Sequence, residues 1–452
     1  MTMLWREDEL AAAIGAPDAA GFSASGVSID TRSLRPGDLF VALAGARDGH
    51  DFVAEALAKG AAGAMISRDV PVAGKFLRVE NTLAGLTRLG EFARARSAAR
   101  FVAVTGSVGK TTTKEMLRRA LAGFGAVHAA DASFNNHIGV PLTLARLPRE
   151  ADFAVLELGM NHPGEIAPLA RLVRPHVAAI TAIERAHIGL MGSLAAIAEE
   201  KATIFQGLTA GGVAVLPGDS EFFELLKHAV PAGAGQIAFG VGPQCQVLLA
   251  GAQSSAEGCG VLVEIAGSKL RFTLAAPGRH MAMNAAAVLA VCHALALDLE
   301  KSAAALEGFG PVAGRGVRKL IELGGAKAIL LDESYNASGA SVRAALAVLG
   351  LQPGRHVAVL GDMLELGDEA RSEHEGLAAD LDESADILFA CGQMMGFLFQ
   401  RMPPAKRGGY AADAAALAPM VKAAVRPGDS ILVKGSYGSR MRDVISHLES
   451  AN

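Results

Sequence analysis

The segment FVAVTGSVGKTTTKEM, residues 101–116, places Gly106, Ser107, Val108, Gly109, Lys110, Thr111 and Thr112 between an apolar strand and a helix start. It reads as the short form of a phosphate-binding loop, GxxGK[ST]; the longer form has a glycine where Val104 stands. Glycines there let backbone N–H groups approach phosphate oxygens, and the helix N-terminus adds positive potential. Lys110 can reach terminal phosphates, and Thr111 can ligate Mg²⁺. Glu157 ends the apolar strand in FAVLELG, residues 153–159. A carboxylate beside such a loop can hold a metal on a bound nucleotide; the alternative is a solvated strand end. His187, in TAIERAHIG after the next apolar strand, is a second ligand candidate, although a lone histidine is usually a surface or internally satisfied residue.

Lys201 lies in LAAIAEEKATIFQGL, residues 194–208. Read as a helix, this segment puts Leu194, Ile197, Ala198, Ile204, Phe205 and Leu208 on one stripe, and Lys201 falls on that stripe. A core-facing lysine is costly unless it is paired or modified. The other reading is snorkelling, with the stem on apolar surface and the amine in water. Further on, Asp332 and Glu333 end a strand in LLDESYNAS, ahead of Tyr335 and Asn336, and LGDMLELG (360–367) and VKGSYGSRM (433–441) end strands too. In an open parallel sheet the ligand cleft lies at the strand C-termini, so these three ends point to one site.

The elements that must position these residues fall into three stretches. Residues 1–98 alternate short apolar runs with turns at Gly26, Pro36-Gly37, Gly45 and Gly49, as in a small α/β domain. Residues 99–312 hold strands at 101–106, 153–159 and 177–181 separated by helix-length segments, the signature of a parallel sheet, with 212–217 as a possible continuation. Within them 236–275 read as short antiparallel strands, and HMAMNAAAVLAVCHALAL as a long helix. PVAGRG (311–316) reads as a linker. Residues 313–452 then show a second parallel sheet with strands KAILLDE, HVAVLGD, ADILFACG and DSILVKG, Rossmann-like in pattern.

The chain of 452 residues is too long for one core, and 51% hydrophobic against 19% charged residues excludes a disordered protein. A net charge of −4 gives no support for a nucleic-acid or membrane-surface partner. The first ten residues are charged and lack the apolar core of a signal peptide. The longest apolar run, 285–297, is too short for membrane insertion. Cys245, Cys259, Cys292 and Cys391 are scattered, which argues for reduced thiols in the cytoplasm and against a disulfide or zinc framework.

With these motifs in order, the chain resembles the Mur ligase family of ATP-dependent amide-bond ligases along nearly its whole length. TGSVGKTT looks like the family's loop. GRHMAMNAAAVLAV (278–291) is similar to its adenine-contacting segment, with Asn284 at the matching position and Met281 where an asparagine is usual. Gly314-Arg315 matches the arginine that reaches ATP phosphate. SFNNHIGVPLTL, LELGMNHPGEI, DESYNAS and GDMLELG resemble the branch that adds D-alanyl-D-alanine to UDP-N-acetylmuramoyl-tripeptide, with Ser338 in place of an asparagine.

The resemblance implies an α/β chain of three domains. A uridine-nucleotide domain is followed by a central P-loop ATPase domain with a short antiparallel portion, and then by a Rossmann-like ligase domain. It implies substrate contacts at Ser28, Asp30, Thr31, Arg32, Asp48, Gly49, His50, Asn135, Asn136 and Asn161. It implies ATP contacts at Gly106 to Thr112, Asn284, Arg315, Asp332, Glu333, Tyr335 and Asn336. Lys110, Glu157, His187, Lys201 and Arg315 would be catalytic. Two Mg²⁺ ions would be held by Thr111, Glu157, His187 and a carbamylated Lys201, in a cytoplasmic monomer. A folylpolyglutamate synthase would share the fold, but the SIDTRSLRPGDLF segment argues against it. A GTPase switch is the other alternative, and no guanine-reading NKxD motif is present.

Overall fold

The structure, a computed structural model, describes residues 3–15, 21–131, 133–323 and 326–450. Three sheets are strung along them. The N-terminal sheet is parallel throughout, in the order β1 (Gly26–Ser28), β2 (Asp38–Val41), β3 (Gly63–Ile66) and β4 (Phe76–Arg78).

The central sheet has nine strands: β5 (Arg100–Thr105), β6 (Val127–Ala129), β7 (Phe153–Glu157), β8 (Val177–Ile180), β9 (Val213–Pro217), β10 (Gly235–Gly240), β11 (Val247–Ser254), β12 (Cys259–Ile265) and β13 (Ser268–Leu274). Their spatial order is β13-β12-β11-β10-β9-β8-β5-β7-β6. The expectation of antiparallel strands over 236–275 holds only from β11 onward. β10 runs parallel to both β9 and β11, and the antiparallel strands extend the same sheet.

The C-terminal sheet comprises β14 (Val317–Leu323), β15 (Ala326–Glu333), β16 (His356–Gly361), β17 (Ile387–Cys391), β18 (Arg407–Ala411) and β19 (Ser430–Lys434), in the order β14-β15-β19-β16-β17-β18. Sequence periodicity missed β14 and β18. β14, VRKLIEL, lacks strict apolar alternation because it is an edge strand, and it runs antiparallel to β15, so this sheet is mixed and not purely parallel. β18, RGGYA, carries too few apolar residues to announce itself.

Alternation decides which side chain meets which layer. In β5, Phe101 and Ala103 join one buried apolar cluster while Val102 and Val104 join another; β7 and β8 divide in the same way. The face holding Val102 and Val155 is covered by helix Lys110–Ala122, through Met116, Leu117, Ala120 and Leu121. In the C-terminal sheet, Ile329, Leu331, Ala358 and Leu432 belong to the cluster that also contains Ile183, Ile188 and Met191 of the central unit.

The N-terminal unit is fused to the central one. Trp5 is fully buried, its indole N–H donates to the Ala145 carbonyl at 2.8 Å, and Leu142 and Ala145 share its cluster with Leu86 and Leu89. From helix Thr82–Arg96, Arg94 lies over the Phe101 ring and donates to the carbonyls of Val173 at 2.6 Å and Arg174 at 2.8 Å. Trp5→Ala should therefore cost about 3–5 kcal/mol, as for other large-to-small core changes. Denaturant unfolding followed by circular dichroism measures it, and a wild-type midpoint would refute the shared core.

Candidate active site

In β7, Phe153 and Val155 face helix Lys110–Ala122, so Glu157, two residues on, emerges on that face at the strand end. It is buried, and its carboxylate accepts the Thr111 hydroxyl and the Asn135 amide, each at 2.8 Å. The solvated strand end is thereby ruled out. Lys110 turns back to donate to the Gly106 carbonyl at 2.7 Å. Burial pulls its amine below the ordinary lysine range, and the charge of Glu157 partly restores it. Gly109 has φ 83°, and a Cβ there would come within 2.5 Å of the Asn284 carboxamide oxygen. Asn284, on helix Arg279–Ala294, thus abuts the phosphate loop.

Lys201 is 1% exposed, which overturns the snorkelling reading. Its helix spans Leu194–Ala202 and passes into a 3-10 turn at Thr203–Gly207, so the continuous helix expected over 194–208 is broken. Burial first, and then the nearby charge of Lys110, hold its amine well below the usual lysine range. Glu200 does not pair with it. That carboxylate accepts the backbone N–H groups of Gly164 and Ile166, each at 2.8 Å. His187 sits close enough to feel both lysines, and burial lowers its pKa. Its Nδ1 meets the carboxylate of Glu365, which belongs to the C-terminal unit.

That unit supplies the opposite wall. Lys434, at the end of β19, is buried and donates to Glu333 at 3.1 Å and to the Asn336 carbonyl at 3.0 Å. The Arg315 guanidinium lies 4.4 Å from the Tyr335 ring centre, and Tyr335 lies 6.2 Å from Tyr437. Asp332 needs correction. It follows Leu330 onto the far face of β15, accepts the Ser334 N–H and hydroxyl, and does not line the cleft; only Glu333 of the pair does. Ser338 caps helix Gly339–Leu349 in a reciprocal capping box with Ser341. Met281 is buried at the cleft wall as part of the apolar cluster.

The cleft between the two units encloses about 890 Å³ and is lined by Ser107 to Thr112, Glu157, His187, Asn284, Arg315, Glu333, Tyr335, Asn336 and Lys434, and also by Asn135, Asn136 and Asn161. Lys201 is not among the lining residues. Sequence reasoning missed Lys434 and His280, both of which line it. Their signal was position, one at a strand end in VKGS and the other one helical turn before Asn284.

Among the described residues, none before Ser107 lines this cleft. Asp30 pairs with Arg32, which holds its carboxyl at about 2. Ser28 donates to the Asp30 carbonyl at 3.0 Å, and the Thr31 carbonyl accepts the Lys59 amine at 3.0 Å. His50 is buried, with Nδ1 against Asp48 at 2.7 Å and Nε2 accepting the Ser67 N–H at 2.9 Å. Both ring nitrogens are engaged, so His50 fixes Asp48 and Gly49 in their loop and is not free to meet a ligand.

Among the described residues, no group of three His, Cys, Asp or Glu side chains could hold a metal. The Thr111 hydroxyl and Glu157 carboxylate nevertheless place hard oxygen donors 2.8 Å apart beside the phosphate loop. That donor set fits Mg²⁺, which is commonly held by one or two protein oxygens together with substrate phosphates.

Three family models match in chain order: the Mur ligase family catalytic domain over 23–94, the Mur ligase middle domain over 104–292, and the Mur ligase glutamate ligase domain over 320–437. A UDP-N-acetylmuramoyl-tripeptide–D-alanyl-D-alanine ligase of Escherichia coli (strain K12) is 34% identical over 438 residues, covering 95% of each chain. A crystal structure of MurF from Acinetobacter baumannii superposes with TM-score 0.87 at 30% identity over 98% of each chain. MurF ligase from Thermotoga maritima in complex with ADP gives 0.80 at 27%, over 94% of this chain and 97% of that one.

The two faces of β15 can be told apart by binding. Asp332→Ala should keep affinity for an ATP analogue within about twofold, and Glu333→Ala, which removes a carboxylate from the cleft and leaves Lys434 without its counter-ion, should raise it about tenfold. Calorimetric titration reads both. Equal effects would mean that the strand faces are wrongly assigned.

Proposed function

The chain belongs to the Mur ligase family, and from that premise we propose that its cleft joins D-alanyl-D-alanine to UDP-N-acetylmuramoyl-tripeptide at the expense of ATP, in peptidoglycan precursor synthesis. One observation carries the reading: a phosphate-binding loop at the strand ends of one sheet faces the strand ends of a second across a single cleft. We assign residues 1–98 to the uridine-nucleotide end of the substrate, 99–312 to ATP, and 313–452 to the dipeptide.

A carboxylate is a poor acyl donor at neutral pH. Transfer of the ATP γ-phosphoryl group to the tripeptide's terminal carboxylate gives an acyl phosphate and ADP. The dipeptide amine then attacks the acyl carbon, the carbon–oxygen bond to phosphate breaks, and inorganic phosphate leaves. The protein's part is alignment and charge neutralisation. Backbone N–H groups of Ser107 to Thr112 cradle the phosphates, while Lys110 and Arg315 offer cations from the two sides of the cleft. Asn284 backs the loop. Thr111, Glu157 and His187 are assigned to Mg²⁺, which when bound balances phosphate charge.

Lys201 is assigned as a carbamate. The fully buried Lys201 lies near the cleft-lining Lys110, Glu157 offsets only Lys110, and Glu200 is occupied elsewhere. A depressed pKa raises the share of Lys201 present as the neutral amine, which adds to CO₂ and releases a proton. The product is an anion beside Lys110, with oxygen donors that suit Mg²⁺. Among the described residues no helix is long and apolar enough to cross a membrane. We assign the protein to the cytoplasm as a monomer.

Phosphate release with UDP-N-acetylmuramoyl-tripeptide should depend on D-alanyl-D-alanine and yield ADP and phosphate in equal amounts. AMP and pyrophosphate as products would refute the acyl phosphate. Lys201→Ala should lose most activity, with partial rescue by acetate, and Lys201→Glu should retain more. Full activity in CO₂-depleted enzyme, with an unmodified lysine by intact-protein mass spectrometry, would remove the carbamate.

A further inference from the structure

At the rim of the cleft, beside the apolar cluster that the two units share, the C-terminal and central units meet in a small, closely fitted patch. The Gly189 N–H donates to the Glu365 carbonyl at 2.9 Å. Gly189 and Gly367 touch backbone to backbone: a Cβ on Gly367 would lie 2.8 Å from the Gly189 Cα, and one on Gly189 would collide with the Gly367 nitrogen. Arg185 adds a contact to Glu369 at 2.7 Å and one to Glu373 at 3.4 Å. At the centre, the Glu365 carboxylate meets Nδ1 of His187. Both residues hold left-handed backbones, φ 65° and 63°, although neither is glycine. Such conformations persist only where the surroundings impose them, and they gather at functional contacts.

A carboxylate can only accept, so Nδ1 of His187 is the donor, and in the neutral ring Nε2 carries the lone pair. Metal-binding histidines commonly donate their second nitrogen to a carboxylate in this way, which fixes the tautomer and raises the basicity of the ligating nitrogen. Here the carboxylate comes from a different unit, 178 residues along the chain. We propose that Glu365 is the positioning residue of His187: only when the C-terminal unit docks does His187 gain the tautomer and orientation of a metal ligand. The metal site of the ATP-binding unit is then completed by the unit that delivers the dipeptide. Phosphoryl transfer is thereby confined to the docked enzyme. This rests on the assignment of His187 to the metal.

The test is Mn²⁺ affinity of the full chain, read by electron paramagnetic resonance without turnover, with the His187 tautomer read from ¹⁵N shifts. Glu365→Ala should weaken Mn²⁺ binding about 10- to 100-fold and mix the tautomers. Glu365→Gln, whose amide oxygen still accepts from Nδ1–H, should recover most of the affinity and the wild-type tautomer. Glu369→Ala removes only a rim ion pair and should stay within about twofold. Unchanged or tighter Mn²⁺ binding in Glu365→Ala, while His187→Ala weakens it, overturns the proposal and leaves the metal assignment standing. If His187→Ala also binds Mn²⁺ like the wild type, the metal assignment itself fails and the proposal falls with it.

Discussion

The structure depends on a concentration of basic side chains beside the phosphate loop. The charge of Lys110 helps lower the pKa of buried Lys201, and Arg315 adds its charge near Lys110 from across the cleft. Glu157 is the carboxylate among them, and its oxygens are already committed to Thr111 and Asn135. Burying like charges is unfavourable unless a counter-charge arrives. A nucleotide triphosphate supplies that counter-charge, and a carbamate on Lys201 would supply more. The site is thus electrostatically incomplete as a bare polypeptide, which biases it toward a polyanionic ligand.

The two inter-unit junctions are built differently, in keeping with this. The N-terminal unit is joined through a shared apolar core around Trp5 and through Arg94 reaching into the central unit. Opening that junction would expose a large buried surface. The C-terminal unit meets the rim through backbone contact at Gly189 and Gly367 and through charged pairs, several of them half exposed. Exposed ion pairs contribute little net stability. The rim pairs therefore add little to the second junction, whose cohesion rests on the apolar cluster that Ile329, Leu331, Ala358 and Leu432 share with Ile183, Ile188 and Met191.

Much of this was legible in the sequence. Loop, strand and helix at 101–116 announce themselves because the glycines, Lys110 and Thr111 must be contiguous to wrap a phosphate. Glu157 could be placed because a strand end fixes both position and face once the helix covering it is known. Lys201 stood out as a cation on an apolar stripe, and its burial bore out the stripe. What failed were inferences that needed a neighbour. β14 and β18 lack strong apolar alternation because each lies at a sheet edge. Asp332 looked equivalent to Glu333 because adjacent residues on a strand differ only in the face they present.

By itself the sequence determined the three-part α/β organisation, the phosphate loop and the residues able to do chemistry on a nucleotide, since these rest on local spacing and periodicity. Only the tertiary structure decided which of them meet. It brought Glu365 to His187 across 178 residues, paired Lys434 with Glu333, turned Asp332 away, and enclosed His50 between Asp48 and Ser67. Periodicity fixes the face a side chain occupies, but the partner on the other side of that face is set by how separate sheets pack. No local pattern encodes that.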